Sequence, residues 1–301
     1  MIHHIARDAE AKRDKITCRE IECTDIDAIA TLLARGFPAR SRDYWLRGLK
    51  REQVRAIPDG YPRYGYMLEH QGLAIGVVLV LYAQTTRDGQ PSIMCNVGSW
   101  YVDEAFRGHG PRLLRSALNR ENVTYTDTTP SVPTYSFVER IGFKRYCNGL
   151  FFSVPLFSRA NSAMRAEIIS PDSNTVTGLP QAEAELLIDH ARYDCLSIVC
   201  RTPQGAEPFI LLPFRMKQGK IALPAMQLIY CRNIESYKRC AHAIGREVLR
   251  RARPVVILDA NGAVGGLFGV YTERRGRKYF RGPQTPELAN LTNTEPVLFG
   301  L

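Results

Sequence analysis

The 301-residue chain has no apolar run long enough to span a bilayer, and its opening, MIHHIARDAEAKRDK, is charged where a secretory leader would carry its apolar stretch. Both absences lead us to expect a soluble protein of the cytoplasm with no membrane partner. Paired metal-binding cysteines are missing too. The eight cysteines, Cys18, Cys23, Cys95, Cys147, Cys195, Cys200, Cys231 and Cys240, never form a CxxC pair, and several stand inside apolar runs such as SIMCNVGSW, LSIVCR and LIYCR. They read as buried reduced thiols rather than a disulfide or zinc framework, and no metal is expected. Acidic residues are in deficit, 30 against 40 Lys and Arg, for a net charge of +10. The excess is spread along the chain, with modest clusters at RRAR (250–253) and ERRGRK (273–278). No nucleic-acid motif accompanies it, so no specific nucleic acid is expected.

What is present is ample apolar material. At 45% hydrophobic residues the chain can bury one large core or two of ordinary size. ITCREIEC alternates as a strand, and TDIDAIATLLARGF is an amphipathic helix with Thr24 or Asp25 as its cap and Ile26, Ile29, Leu32 and Leu33 inward. SRDYWLRGLKRE is a second helix, capped by Ser41 and ended at the turn PDGYPR. GYMLEHQ and AIGVVLVLYAQ form a hairpin; SIMCNVGSWYV is a long strand running straight into the Gly-rich DEAFRGHGPRLLRSALNR helix. VTYTDTT is a strand, PSVPTYSFVERIGF a helix started by Pro133 and ended by Gly142, and FKRYCNGLFFSVP two more strands. The order β, α, α, β, β, β, α, β, α, β, β predicts a mixed α/β sheet. Residues 157–175 turn to Ser, Arg, Asn and Asp and read as a connection. Beyond it, helix AEAELLIDHAR, strands LSIVCRT, FILLPFRMK and AMQLIYCRN, helix IESYKRCAHAIGREVLRRA and strand PVVILDAN echo the first half in order but not in residues. The expected division is an N-terminal extension 1–15, a first domain 16–156, the connection, and a degenerate copy at 176–301.

One stretch carries chemistry. Trp100-Tyr101-Val102 ends a strand that passes through Asp103-Glu104-Ala105-Phe106-Arg107-Gly108-His109-Gly110 into a helix with paired Leu113 and Leu114. Such a turn presents free backbone N–H groups and the positive end of a helix dipole at one point, and glycines let phosphate approach. The segment resembles the acyl-coenzyme A motif of GCN5-related N-acetyltransferases (GNAT), an apolar strand followed by Arg/Gln-x-x-Gly-x-Gly/Ala and a helix, which Arg107 and Gly110 fit. Downstream, SFVERIGFKRY resembles that family's second motif through Gly142 and Phe143.

The resemblance implies a GNAT fold, in tandem here, that takes acetyl-CoA or another acyl-CoA as co-substrate; the basic surface suits its phosphates. The turn of Gly108, His109, Gly110, Pro111, Arg112 and Leu113 would then hold the pyrophosphate, and the backbone of Trp100, Tyr101 and Val102 would pair with the pantetheine arm and the acyl carbonyl. The sequence departs from the pattern at Arg112, where a Gly or Ala is usual, and at Pro111, which has no N–H; Arg112 would compensate with its guanidinium or lie in solvent. GNAT chemistry is direct attack of an amine on the thioester, which needs a base, a polarised carbonyl and often an acid for the thiolate. The position of the usual acid tyrosine is Val138, and that of a frequent asparagine is Ser131. Tyr135, one turn upstream on the same face, is the stand-in acid or a core tyrosine. Asp127 is the candidate base or a turn residue, and Glu104 a second candidate or a surface carboxylate. His109 reads as a phosphate contact or a solvated residue, and Cys95 as core. The junction Arg232-Asn233-Ile234-Glu235-Ser236 has no glycine for a second CoA, and Gly262-Ala263-Val264-Gly265-Gly266 is a turn between strands.

The expected activity is therefore acyl transfer to a small-molecule or peptide amine. The alternatives are a non-catalytic acyl-CoA-binding module of the same fold, an aminoacyl-tRNA-dependent transferase of FemABX type, which lacks such a turn, and a nucleic-acid-associated protein. The second half would cover the edge that single-domain relatives use to dimerise, which favours a monomer.

Overall fold

In chain order the elements are β1 (Thr17–Glu20), α1 (Ile26–Gly36), α2 (Arg42–Val54), β2 (Gly65–His70), β3 (Leu73–Arg87), β4 (Gln90–Val102), α3 (Gly110–Ala117), β5 (Val123–Asp127), α4 (Tyr135–Arg140), β6 (Lys144–Cys147), β7 (Gly149–Ser153) and β8 (Arg165–Ile168). They continue with α5 (Gln181–Arg192), β9 (Leu196–Thr202), β10 (Gly205–Gln218), β11 (Ile221–Cys231), α6 (Ile234–Arg250), β12 (Val255–Ala260), β13 (Gly269–Thr272), β14 (Lys278–Arg281) and α7 (Glu295–Phe299). These come from a computed structural model that describes residues 15–87, 90–160, 163–218 and 221–300. The expected N-terminal extension lies outside the described residues but for Lys15. Among the described residues, no helix is long and apolar enough to cross a membrane.

The chain divides into two compact units. The first holds the residues up to Asp127 together with Arg281–Gln284 and Asn293–Phe299; the second holds Thr128–Phe280 and Thr285–Thr292.

In the first unit the strands run in the order β1-β2-β3-β4-β5, antiparallel up to β4 and parallel between β4 and β5, with α3 as the crossover. The β2–β3 hairpin turns through Gln71 and Gly72, both at positive φ, which matches the twist of the flanking strands. α1 buries Ile26, Ile29, Ala30, Leu32 and Leu33, one stripe at helical spacing. Each such leucine or isoleucine stabilises the unit by about 1.5–3 kcal/mol. Asp25 stands at the head of α1 but its side chain does not cap it. Its carboxylate instead accepts from Arg19 Nη1 at 2.7 Å and Nη2 at 2.9 Å and from the Glu22 N–H at 2.9 Å, closing a short 3-10 turn that precedes the helix. Ser41 does cap α2, accepting from the Tyr44 N–H at 3.2 Å.

In the second unit the sheet order is β13-β7-β12-β11-β10-β9-β8. β11 and β12 are parallel and joined by α6, and the other pairs are antiparallel. β14 pairs antiparallel with β6. β8 falls inside the 157–175 stretch that composition reads as a connection. α6 buries Tyr237, Cys240, Ala241, Ile244 and Val248 against Ile198, Phe209, Leu228 and Val256 of the sheet. All eight cysteines are free thiols; six are buried, while Cys18 is half-buried and Cys23 exposed.

Candidate active site

The central strand of the first unit outlasts its parallel partner. β4 and β5 pair from Ile93/Val123 to Asn96/Thr126 and no further, β5 ends at Asp127, and β4 runs on to Val102. On its other edge β4 stays paired with β3, Trp100 facing Val78 and Val102 facing Gly76. The register slips between Val78 and Val80, which puts Gly98 and Ser99 together opposite Leu79 as a β-bulge. Val97 to Tyr101 are all half-buried, although Cys95 and Asn96 just before them are buried. Beyond Asn96, then, β5 no longer pairs with the central strand.

The exit from this strand is anchored. The Asp103 N–H donates to the Ile75 carbonyl at 2.8 Å, and its carboxylate accepts from Arg35 Nε at 2.9 Å and Nη2 at 2.6 Å, tying β4 to α1. Tyr101 lies with its ring on Gly36 of α1, where a Cβ would collide with it. A 3-10 turn, Glu104–His109, then leads into α3, with Pro111 in the first helical turn as its lack of N–H requires. Gly108 is exposed, with open space where a Cβ would stand. At Gly110 a Cβ would lie 3.0 Å from the Trp100 indole, so the glycine lets the helix start sit on that ring. The Gly110 N–H donates to the Arg107 carbonyl, so it is engaged in closing the 3-10 turn. Arg112 donates from Nη1 to the Ile16 carbonyl at 2.9 Å. Arg107 is exposed and 3.6 Å from Glu104, whose side chain is 87% exposed. His109 is exposed, and Leu113 is buried in the core.

Three residues that the sequence does not single out meet at the bulge. The Ser99 N–H donates to Glu295 Oε2 at 2.5 Å and the Ser99 hydroxyl donates to Oε1 at 2.9 Å. The Glu295 N–H donates to Asn96 Oδ1 at 3.0 Å, and Asn96 Nδ2 donates to the Thr126 carbonyl at 3.2 Å, at the last paired position of β5. Glu295 is half-exposed as a residue, but its carboxylate is turned onto β4. That desolvation pushes its pKa above the ordinary carboxylate value, against the opposing pull of the Ser99 donors and Arg40. α7 is held by Phe299, whose ring packs at 5.7 Å from Trp45 and lies on Gly48 of α2, and by Arg51 Nη1 donating to the Leu298 carbonyl at 3.1 Å.

No family model and no curated protein matches the chain. Solved structures do match in shape. A GCN5-related N-acetyltransferase from Anabaena variabilis ATCC 29413 superposes with a TM-score of 0.57 at 10% identity, over 89% of this chain and 72% of that one. One from Kribbella flavida gives 0.56 at 13% identity, over 90% and 72%. A conserved protein of Enterococcus faecalis V583 gives 0.58 at 10% identity, over 92% and 74%. The fold is that of the GNAT acetyltransferases. At these identities the likeness speaks for the fold alone.

The remaining expected residues of the GNAT site are distributed between the two units. Asp127 is half-buried at the end of β5. Tyr135 and Ser131 belong to the second unit: the Tyr135 ring lies 5.7 Å from that of Tyr279 with the Arg277 guanidinium 5.0 Å from its centroid, and exposed Ser131 bonds to Thr134 Oγ1 at 3.3 Å. Val138 is buried. The second unit's own parallel pair, β11 and β12, joins only Ala225–Gln227 with Val255–Ile257. Beyond that, Asn290 bridges Tyr230 and the Leu291 N–H donates to the Ile229 carbonyl at 2.8 Å, so backbone takes up that edge of β11. At the following helix start Asn233 Oδ1 accepts the Ser236 N–H at 2.8 Å, and Arg232 pairs with Glu183 at 2.5 Å. Among the described residues, no group of three or more His, Cys, Asp or Glu stands close enough together to hold a metal ion.

Proposed function

We propose that this protein is an acyl-CoA-dependent N-acyltransferase, moving an acetyl or other acyl group from acyl-CoA to a small-molecule or peptide amine, with the donor on the first unit. Segments 16–156 and 176–301, with 157–175 between them, would be the two GNAT-like repeats of the sequence, each lending residues to the other's compact unit. The observation that supports the reading is the early end of β4–β5 pairing at Asn96/Thr126, ahead of the run of β4 into the Gly108–Gly110 turn. In this assignment the donor lies along Trp100, Tyr101 and Val102, its phosphates meet the turn from Arg107 to Leu113, and Ser131 is an outlying contact. The amine nitrogen attacks the thioester carbon; the N–C bond forms, the C–S bond breaks and the electron pair leaves on sulfur. Asp127 is the assigned base and Tyr135 the assigned acid. Glu104, so exposed, is the weakest of the three candidates. Eight free thiols suit a reducing compartment such as the cytoplasm.

The test is calorimetric titration with acetyl-CoA of the wild type and of Gly108→Trp, a substitution into open space at the turn. The expected result is binding with a Kd of about 1 μM by the wild type, lost in the variant with its melting temperature unchanged. No binding by well-folded wild type overturns the reading. A second reading, an acyl-CoA-binding module without catalysis, draws support from the turn itself: the Gly110 N–H is engaged, Pro111 has none, and Arg112 is bound to Ile16. Binding without thiol release in the presence of varied amines favours it.

A further inference from the structure

We propose that Arg277, stacked on Tyr135 in the second unit, is a binding site for a carboxylate, and that the acceptor carries a carboxylate a few bonds from its amine, as a free amino acid does. The acceptor class rests on the donor and acid assignments above; the carboxylate site itself does not.

Arg277 belongs to the basic run Glu273-Arg274-Arg275-Gly276-Arg277-Lys278, which acyl transfer leaves without a role. The turn after β13 is closed locally, Glu273 accepting from the Tyr271 hydroxyl at 3.1 Å and the Arg274 N–H donating to Thr272 Oγ1 at 3.3 Å. Gly276 stands at φ +86°, and a Cβ there would strike the Leu150 side chain, so only glycine makes this step back toward the sheet. The four cations separate at that point. Arg274 and Arg275 are exposed, Lys278 turns inward to Asp259 at 3.0 Å, and Arg277 lies half-buried against α4.

Arg277 is held in place but has no anion. Its guanidinium carbon is 5.0 Å from the centroid of the Tyr135 ring, a cation–π contact that fixes the guanidinium on that face. Buried Tyr279 packs 5.7 Å from Tyr135, and its hydroxyl donates to Glu139 Oε1 at 3.1 Å while the Arg277 side chain faces the same hydroxyl. Glu139 is thus engaged by Tyr279, and among the described residues no carboxylate stands within ion-pair distance of Arg277. Its Nε is buried without a hydrogen-bond partner. A guanidinium fixed in this way is the group that a carboxylate matches with two parallel N–H bonds. Exposed Arg140 at the end of α4, and exposed Lys144 and Arg145 on β6 beside β14, add charge of the same sign and repel a cationic ligand.

Tyr135 links this site to the reaction. As the assigned acid it gives its proton to the departing sulfur, and sulfur and attacking nitrogen are bonded to the same carbon at that moment. The amine therefore stands within a hydrogen bond and two covalent bonds of the Tyr135 hydroxyl, and the guanidinium stacked on that ring is in reach of a group a few bonds further along the acceptor. An amino acid has its carboxylate there. Polyamines and amino sugars bring only more positive charge or hydroxyls.

The test uses the full chain, its Arg277→Gln and Arg277→Lys variants, and Arg274→Gln as a neighbouring exposed cation, each checked for wild-type circular dichroism. Sodium succinate is the probe of the carboxylate site, against sodium chloride at equal ionic strength. Succinate is expected to raise the melting temperature of the wild type and of Arg274→Gln in a saturable manner, to leave Arg277→Gln at its sodium chloride value, and to act weakly on Arg277→Lys, which keeps the charge and loses the fork. Thiol release from acetyl-CoA is then followed with the common amino acids and with their amides. The best amino acid is expected to exceed its own amide about tenfold in kcat/KM in the wild type, the difference lying in KM, and by less than about threefold in Arg277→Gln. No saturable succinate effect on the wild type, or an equal one on Arg277→Gln, overturns the site. Should Arg277→Gln not fold, Arg277→Lys decides it by the same criterion. Amides as good as acids, or calorimetric binding of acetyl-CoA with no amino acid turned over, overturns the acceptor class and leaves the donor reading standing. Failure of the wild type to bind acetyl-CoA while succinate still acts through Arg277 overturns the donor reading and the acceptor class together, and leaves the carboxylate site supported.

Discussion

Replacing Lys278 with Met isolates a buried charge and should cost the protein a large part of its stability. Lys278 on β14 and Asp259 on β12 are 3% and 5% exposed, and Nζ stands 3.0 Å from Oδ1. No other hydrogen bond to the Asp259 carboxylate is found among the described residues. At that separation and an effective dielectric constant of about 20, the attraction is on the order of 5 kcal/mol. Removing one partner of such a pair leaves the other charged or forces it to take a proton, at a typical cost of about 3–5 kcal/mol. Burial already pushes the Asp259 pKa up despite its lysine, so part of the penalty is met by protonation. The folded variant then holds a proton that the unfolded chain releases, and its stability deficit should shrink as pH falls from about 7 to about 5. Urea unfolding followed by circular dichroism gives the number. Lys278→Met should lose about 3–4 kcal/mol at pH 7, and Lys278→Met with Asp259→Leu should recover most of it, since an apolar pair of that shape carries no desolvation cost. A loss below about 1 kcal/mol in the single variant, or a double variant no better than the single, refutes the reasoning.

His190 on α5 gives a pH dependence of opposite sign. Its ring nitrogens lie 2.7 Å from the Leu186 carbonyl and 3.1 Å from that of Thr292; burial lowers its pKa below the ordinary 6.5 more than those two acceptors raise it. The unfolded chain therefore binds a proton that the folded chain refuses, and stability should fall by up to about 1.4 kcal/mol per pH unit below 6.5; His190→Gln should remove that slope, and identical slopes would contradict it. Thiol labelling of the native protein should modify Cys23 quickly and Cys18, bonded to Ser116 Oγ at 3.3 Å, more slowly, with the six buried cysteines reacting only in denaturant. Fast reaction of more than about two thiols would show that the cores of the units are not closed as described.

Local signals carried most of the fold. The stripe of Ile26, Ile29, Leu32 and Leu33, the Ser41 cap, Pro111 inside the first turn of α3 and Gly142 at φ +92° after α4 each act within one or two turns of chain, and each element stands where those residues put it. The strand-turn-helix from Trp100 to Leu114 was legible for the same reason. β8, β14 and α7 were not, because they are four or five residues long and carry no period of their own. Asp25 shows a local rule losing to a tertiary one, its cap role yielding to a bidentate arginine. The Ser99–Glu295 contact was hard to see: the two residues are 196 apart, and nothing near either announces the other. A glycine at 98 in an otherwise regular strand was the single available hint.

The late residues that complete both units impose an order on biosynthesis. On the ribosome, β1 to β5 emerge first, yet the unit they belong to also needs Arg281–Gln284 and Asn293–Phe299, whose Gly282 lies on the backbone of Val123 and whose Glu295 engages Ser99. The second unit likewise waits for Asn290 and Leu291 to reach β11. Neither can finish as a vectorial, domain-by-domain folder; each must hold exposed strand edges until almost the whole described chain has been made, which lengthens the interval in which a nascent-chain chaperone has something to hold.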